Sequence, residues 1–360
     1  MKRVFVSDCE GPLTKNDNAY ELAAQFVADG DKVFSHISKY DDVLADIVKR
    51  PGYNAGDTLK LVLPFLKACD ITDSQMQEFS AQTLILIAGT KQTLQHIRSL
   101  TEAFIVSTSY EHYIKALCDY VYFPFENTYC TRISLDKYAV KAEEKTKLEA
   151  IAKEITSLPM ITIPSEAKTL KDLSNRDQET VNQLDEIFWK EIPKMKIGRI
   201  FSEVKPVGGE QKAAAIRGIV NKLQVPLSSV MYVGDSITDV QAFQLVREGG
   251  GFTVSFNGNG YAVRSAEVAV QAQNNTVTAV LADVFLKHGK AKVIGLVETW
   301  TPEDLKDSGV NPAIVNHLLL LQANGLPKVQ TVTPKNMEVL SKQSSEFRKK
   351  VRGEAVGKLG

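Results

Sequence analysis

The sequence predicts an α/β protein with a doubly wound, mainly parallel sheet, a helical cap domain and further helical additions. The prediction depends on three apolar runs, at residues 4–6, 104–106 and 230–233, each followed by polar side chains. Uninterrupted apolar runs are typical of parallel strands that are buried on both faces. Helical patterns separate the runs, and strands that alternate with helices imply right-handed crossovers and parallel pairing.

The first run leads directly into Asp8 and Glu10, and a Gly-Pro pair at 11–12 then turns the chain away. In open α/β sheets, reactive groups lie just beyond the carboxyl ends of the strands. Asp8 and Glu10 are therefore placed where such a sheet presents its reactive groups. The alternative interpretation is a polar loop with a chance pair of acids, and only the other strand ends can decide between the two.

Other elements follow from local patterns. Thr108 and Glu111 have capping-box spacing, which predicts a helix that begins directly after the second strand. The sheet pattern resumes at 198–203, before a helical stretch at 210–223. Further strands are predicted at 251–256 and 266–270, and a peripheral hairpin at 121–123 and 128–133.

Composition shifts along the chain divide it into four parts. Residues 15–82 carry apolar positions at three- and four-residue spacing, which predicts helices. The Lys- and Glu-rich composition within 136–197 predicts a helical insertion with exposed faces. Residues 288–360 look helical and peripheral. The predicted parts are an α/β core (1–14, 83–135 and 198–287), a helical cap (15–82), a helical insertion (136–197) and a helical C-terminal extension (288–360).

Bulk composition limits the classes of function. The 360 residues contain 43 basic and 43 acidic side chains, so a nucleic-acid or membrane surface is not an expected partner. Apolar runs such as 318–321 are too short to span a bilayer, and the absence of a secretory signal leads us to expect a cytoplasmic protein. The cysteines lack zinc spacing and are expected to be free thiols: Cys9, Cys69, Cys118 and Cys130.

The polar residues after the three strands predict one site. A carboxylate nucleophile, a hydroxyl, an ammonium and further carboxylates suit phosphoryl transfer through an aspartyl-phosphate. The acids at 8 and 235 can hold Mg²⁺, which prefers carboxylate oxygens and water. Hydroxyl and ammonium groups can bind the remaining phosphate oxygens. The candidate residues are Asp8, Glu10, Ser107, Thr108, Lys212, Asp235 and Asp239.

In these motifs the chain resembles the haloacid dehalogenase (HAD) superfamily of phosphohydrolases. The matching pieces are the loop at 8–14, the strand end at 105–107, Lys212 and the loop at 233–239. Their order, and the 23 residues between Lys212 and Asp235, look closest to the phosphoserine-phosphatase-like branch. More narrowly, the opening loop resembles an uncharacterised archaeal HAD-like group, some of whose members are named energy-converting hydrogenase A subunit R.

The resemblance implies a role for each residue. Asp8 would be the nucleophile, and Mg²⁺ would be held by the Asp8 carboxylate, the backbone carbonyl of Glu10 and Asp235. Asp239 would support the metal waters or Lys212. Most HAD phosphatases carry Asp two residues after the nucleophile, whereas this chain has Glu10. That residue either acts as a repositioned general acid and base or marks a slow or lost activity.

Several residues compete for these roles. Lys205 and Lys115 are alternatives to Lys212, and His112 could face the substrate from the helix after Ser107. Cys9 is expected to point into the core, because side chains alternate along an extended segment. The glycines before Lys212 lack the spacing of a phosphate-binding P-loop. Substrate choice should depend on polar cap residues such as Lys15, Asn18, Glu21, His36 and Arg50.

The first functional hypothesis is a Mg²⁺-dependent hydrolase of a small, soluble phosphate monoester. The second is a HAD-fold regulatory or binding subunit of a larger complex with little or no catalysis, motivated by Glu10 and the long additions. A phosphotransferase or phosphomutase is a third and weaker option. Assembly as a homodimer or in a protein complex stays open, and the sequence does not identify the substrate.

Overall fold

The computed structural model describes residues 2–164, 166–321 and 325–359. Its sheet has seven strands in the order β3-β2-β1-β4-β5-β6-β7, and every neighbouring pair is parallel except β6 and β7. The predicted α/β fold with a mainly parallel sheet is confirmed. The strands are β1 (Val4–Ser7), β2 (Ala103–Tyr110), β3 (Thr128–Thr131), β4 (Val230–Gly234), β5 (Phe252–Phe256), β6 (Val268–Gln271) and β7 (Lys328–Thr331).

The central strands bury both faces. Phe5 and Met231 belong to one apolar layer, whereas Val4, Val6 and Tyr232 belong to the layer on the opposite face. This alternation follows from the two-residue period of a strand. Both faces are covered by helices, which explains why the strands read as continuous apolar runs.

The register of the central strands aligns the ends of β1 and β4 with the middle of the longer β2. Ser7, the last residue of β1, pairs with Ile105 of β2 and with Val233 of β4. The residues that follow these three positions therefore lie side by side at one edge of the sheet. This edge is where the sequence places the candidate site.

Eighteen α-helices surround the sheet among the described residues. They are α1 (Asn18–Phe26), α2 (Gly30–Asp42), α3 (Thr58–Ala68), α4 (Asp73–Thr83), α5 (Thr90–Leu100), α6 (Glu111–Val121), α7 (Ala142–Ser157), α8 (Asn175–Glu186), α9 (Ile200–Glu203), α10 (Glu210–Leu223), α11 (Val240–Glu248), α12 (Gly260–Ser265), α13 (Thr276–His288), α14 (Lys290–Thr299), α15 (Pro302–Asp307), α16 (Pro312–Leu320), α17 (Met337–Arg352) and α18 (Glu354–Gly357). Among the described helices, none combines the length and the apolar character that crossing a bilayer requires.

The helices of 15–82 and of 136–197 share one hydrophobic core. Tyr40 of α2 stacks on Phe188, with ring centroids 5.9 Å apart, and α3 packs against α7. Leu63, Leu148 and Leu184 are fully buried in the same cluster. The helical insertion at 136–197, predicted to have exposed faces, thus contributes an apolar face to the core of the cap. The proposed domain boundaries themselves stay a prediction.

Three local predictions are wrong. Residues 121–123 form no strand, because α6 continues to Val121 and Tyr122 adopts a left-handed conformation. The strand β3 pairs in parallel with β2, so no hairpin forms. Residues 198–203, which were expected to belong to the sheet, instead form the end of a short 3₁₀ segment and α9.

The predicted capping role of Thr108 is also wrong. Strand β2 continues as far as Tyr110, and α6 starts without a side-chain cap. The Thr108 hydroxyl instead donates to the carbonyl of Val207 at 3.1 Å. Tertiary pairing of the strand has overridden the local helix-start signal.

The C-terminal extension is neither wholly helical nor peripheral, in contrast to the prediction. Strand β7 adds antiparallel to β6 and extends the sheet. Helix α17 packs against α12 and β6, and its last turn reaches the edge of the sheet where the candidate site lies. The last part of the chain therefore has to be included in any description of the site.

Candidate active site

Asp8 directly follows β1 and continues its pairing, since its N–H donates to the carbonyl of Val233 at 2.8 Å. One carboxylate oxygen accepts the N–H of Cys9 at 2.6 Å, and the other accepts Lys212 Nζ at 2.6 Å. Burial raises the pKa of Asp8 to about 6, although the Lys212 ammonium opposes this shift. The carboxylate is therefore fixed in orientation at the end of the strand.

Lys212 lies in the first turn of α10 and is completely buried. Its ammonium bridges Asp8 Oδ2 at 2.6 Å and Asp239 Oδ1 at 2.7 Å. Burial disfavours the charge, but the two carboxylates outweigh it and raise the pKa of Lys212 above its ordinary value. The competing candidates Lys115 and Lys205 are exposed. Lys212 is thus the lysine that the fold brings to the site.

Asp239 organises the loop after β4. One of its oxygens accepts the backbone N–H groups of Asp235 and Ser236 at 2.8 and 3.0 Å. The other accepts the Tyr232 hydroxyl at 2.6 Å as well as Lys212. Because both oxygens are already paired, this carboxylate holds neighbouring groups in place.

Asp235 completes a cluster of buried acids. Single carboxylate oxygens of Asp8, Asp235 and Asp239 lie within 4.8 Å of one another. Gly11, with φ of +98°, passes so close that a Cβ there would overlap the Asp235 carboxylate. Only glycine satisfies both the backbone conformation and this approach. The turn at Gly11 therefore brings the backbone into close contact with the Asp235 carboxylate.

Glu10 connects the opening loop to the cap. Its carboxylate accepts the N–H of Asn18, the first residue of α1, at 2.7 Å. Burial, reinforced by the carboxylate of Asp17, raises the pKa of Glu10 well above its usual range. A raised pKa makes a carboxyl group hold its proton more strongly than usual, which suits a general acid.

Ser107 and Thr108, in the second half of β2, both line the cavity. The Ser107 hydroxyl donates to the hydroxyl of Ser109 at 3.1 Å and also accepts the Ser109 N–H at 3.3 Å. Thr108 already uses its hydrogen on Val207. Ser107 is therefore the better placed of the two to be redirected toward a ligand.

The cavity above these residues is small. Its volume is about 90 Å³, compared with roughly 300–1,000 Å³ for ordinary ligand pockets. Core, cap and C-terminal residues all contribute to its walls. The cap supplies Phe34, Ser38, Asp41, Asp42, Gly56, Thr58 and Leu59, and the end of the chain supplies Arg348, Arg352 and Leu359.

The cap residues expected to choose the substrate do not line this cavity: Lys15, Asn18, Glu21, His36 and Arg50. Arg50 instead pairs with Asp185 at 2.7 Å and lies over the Trp189 ring. His112 also points elsewhere, to Asp73 at 3.2 Å. The structure therefore places none of these side chains on the wall of the cavity. Cys9 is buried in the apolar layer below the sheet edge, as predicted.

Arg348 and Arg352 were not predicted as site residues. Both guanidinium groups bind Asp235 Oδ2: Arg348 directly through Nη1, and Arg352 through Nη1 at 3.2 Å. Their four-residue spacing places them on one face of α17. This spacing of two arginines is visible in the sequence of the basic tail. Nothing in the local pattern indicates which surface that face would contact.

The acid cluster suits a divalent cation. Carboxylate oxygens are the ligands that Mg²⁺ prefers, and positive charge already lies at Asp235 in the form of two guanidinium groups. The residues present thus fit a cation at this corner, and the Glu10 carbonyl follows in the same loop.

Comparison with known proteins identifies the family of the chain. Residues 85–283, more than half of the chain, match the sequence pattern of haloacid dehalogenase-like hydrolases. The chain belongs to this family. A solved gene product from Archaeoglobus fulgidus is similar over 100% of this chain and 99% of that chain, with 25% sequence identity and a TM-score of 0.80.

More distant structures show less similarity. Apo phosphoserine phosphatase has a TM-score of 0.47 and 12% identity, over 81% of this chain and 100% of that chain. A substrate-bound phosphoserine phosphatase has a TM-score of 0.45 and 12% identity, over 76% and 95%. No curated protein matches the chain. The narrower resemblance to archaeal proteins named as a hydrogenase subunit stays a prediction.

Proposed function

We propose that the protein is a Mg²⁺-dependent phosphomonoester hydrolase that acts on a small phosphate ester. The observation that supports this most is the buried Asp8 carboxylate, which Lys212 holds at 2.6 Å beside Asp235 and the cavity. A fixed carboxylate at a cavity floor is suited to attack on phosphorus. Membership of a hydrolase family points to the same class of reaction.

Each side chain then has a role. Asp8 attacks the phosphoryl group and forms an aspartyl-phosphate, while the alkoxide leaves with a proton from Glu10. Glu10 next removes a proton from the water that hydrolyses the intermediate. Ser107 and the amide groups of the opening loop donate hydrogen bonds to the phosphoryl oxygens. Lys212 keeps the nucleophile oriented.

The Asp8 and Asp235 carboxylates and the Glu10 backbone carbonyl would hold the metal. When bound, Mg²⁺ reduces the repulsion between an anionic nucleophile and an anionic phosphate. The Asp239 carboxylate would support this arrangement through the loop amides that it already binds.

A screen for phosphate release tests the proposal directly. The purified protein should release inorganic phosphate from an aryl phosphate or from members of a metabolite panel in the presence of Mg²⁺. Chelation with EDTA should abolish the release, and added Mg²⁺ should restore it. Absence of turnover across the panel, with a folded protein and excess Mg²⁺, contradicts the proposal.

Glu10 gives a second prediction. Glu10→Gln removes the transferable proton and should lower kcat by roughly 10²–10⁴-fold. Glu10→Asp keeps the acid but retracts it by about 1 Å from the place fixed by the Asn18 N–H, so we expect a smaller loss of about 100-fold. Steady-state kinetics measure both, with the exposed Glu126→Gln as the control. Wild-type kcat in Glu10→Gln rules out this role.

A regulatory or binding subunit with little catalysis is the second candidate. The contact of Arg348 and Arg352 with Asp235 favours it, because a carboxylate that is neutralised by two guanidinium groups is a poor metal ligand. The same screen separates the two functions. Stable co-purification with a partner complex and no turnover would support the subunit.

A further inference from the structure

The last helix places an internal cation at the candidate metal corner. The Arg348 side chain is 3% exposed, and its Nη1 contacts Asp235 Oδ2 and also the Asp235 backbone oxygen at 3.4 Å. Arg352 contacts the same carboxylate oxygen at 3.2 Å. One oxygen of the predicted metal ligand is thus shared by two guanidinium groups.

Several contacts hold α17 in this position. Arg352 Nε donates to the Lys15 carbonyl at 3.0 Å, and Nη2 of the same side chain donates to the Asn16 carbonyl. One turn before Arg348, the Ser344 hydroxyl donates to the Gly258 carbonyl at 2.7 Å. The last turn of α17 is therefore seated on both the opening loop and the sheet edge.

The contact cannot persist when a divalent cation binds the same carboxylate oxygen, Asp235 Oδ2. A Mg²⁺ ion binds carboxylate oxygens at about 2.0–2.1 Å, so a guanidinium on the same oxygen would lie within a few ångströms of a second positive charge. Both would be buried, where water screens the repulsion poorly. Asp235 Oδ2 consequently accommodates either the guanidinium or the metal.

The hydrogen bonding of Arg348 also points to a second arrangement. Its Nε is buried and has no hydrogen-bond partner, and its Nη2 reaches only the Leu359 carbonyl at 3.4 Å. Apart from Asp235, the described contacts satisfy this side chain poorly. Leu359 itself closes part of the small cavity, so movement of the segment would also enlarge the space for a substrate.

We propose that Arg348 competes with the divalent cation for Asp235, so that the C-terminal segment 337–359 keeps the site closed until the metal displaces it. The inference rests on the proposed function, because it needs the metal site at Asp8 and Asp235. Metal binding and the release of α17 are then thermodynamically coupled. A substitution that weakens the contact of α17 with Asp235 must therefore strengthen metal binding.

Direct metal binding to the full chain tests this competition. Mn²⁺ replaces Mg²⁺ as the probe, and its dissociation constant is measured by electron paramagnetic resonance and calorimetry. Arg348→Met removes the competing charge and keeps most of the apolar volume, so we expect at least about tenfold tighter Mn²⁺ binding. The control Lys350→Met removes one charge from an exposed position on the same helix and should bind Mn²⁺ as the wild type does.

Hydrogen exchange of the wild-type protein provides a readout that needs no variant. Saturating Mn²⁺ should increase amide exchange in 337–359 and leave exchange in β4 and β5 unchanged. Equal Mn²⁺ affinity in wild type and Arg348→Met, or unchanged exchange in 337–359 on metal binding, overturns the competition and leaves the proposed function intact. Absence of Mn²⁺ binding in both proteins overturns the metal site and the inference together.

Discussion

The Asp8→Asn variant should keep its fold and lose phosphatase activity by a factor of about 10³ or more. The amide retains the shape of the side chain and can still accept the Cys9 N–H through its oxygen. It is not a nucleophile toward phosphorus, so no aspartyl-phosphate can form. The measurement is kcat/KM on whichever phosphate ester gives the strongest release of phosphate.

The control for this variant is Asp70→Asn, which changes an exposed carboxylate that, within the described part of the chain, forms an ion pair only with Lys145. It should leave kcat/KM within experimental error. Circular dichroism should show the same secondary structure in both variants. Equal activity in Asp8→Asn and wild type, from protein free of contaminating phosphatase, would exclude Asp8 as the nucleophile.

The Lys212→Met variant should be strongly destabilised. Its ammonium is the only group of opposite charge within salt-bridge distance of Asp8 and Asp239 among the described residues, and all three side chains are buried. Removing it leaves two neighbouring carboxylates unpaired. The expected decrease in the free energy of unfolding is about 3–5 kcal/mol, the usual cost of breaking a buried ion pair. Urea denaturation followed by circular dichroism measures it.

Two further variants separate the loss of the buried ion pairs from the loss of a charge on the same helix. Lys222→Met lies at the exposed end of the same helix and should change the free energy of unfolding by less than about 0.5 kcal/mol. Adding Asp239→Asn to Lys212→Met removes one of the two unpaired charges and should recover part of the loss. A Lys212→Met protein as stable as Lys222→Met would show that this network contributes little to the fold.

The sequence located the strand-end acids because the relevant information is local. A continuous apolar run implies a buried strand, and the polar residues that follow must then lie at its end. Ser7 pairs with both Ile105 and Val233, so Asp8, Ser107 and Asp235 do follow adjacent strand positions. The same reasoning failed at Thr108, where a capping signal that spans four residues was overridden by strand pairing between β2 and β3.

Substrate-facing cap residues could not be found in this way. Polar side chains in an amphipathic helix are equally suited to solvent, to a neighbouring helix and to a cavity. Arg50 was selected for its charge, but in the structure it binds Asp185, 135 residues away. Asp41 and Ser38 line the cavity instead, and only the docking of the cap on the sheet decides this.

The class of fold, the family and the group of residues from Asp8 to Asp239 that meets at one sheet edge could all be predicted from the sequence. These follow from short-range patterns, which restrict how a strand and its following loop can be built. The contact of Arg348 with the Asp235 carboxylate, 113 residues away along the chain, could be found only in the folded protein. The reason is physical: a basic helix face has no preferred acid until packing against α12 and β6 fixes its position. The pair of acids after the first strand thus lies close to a carboxylate, Asp235, that the last helix also contacts.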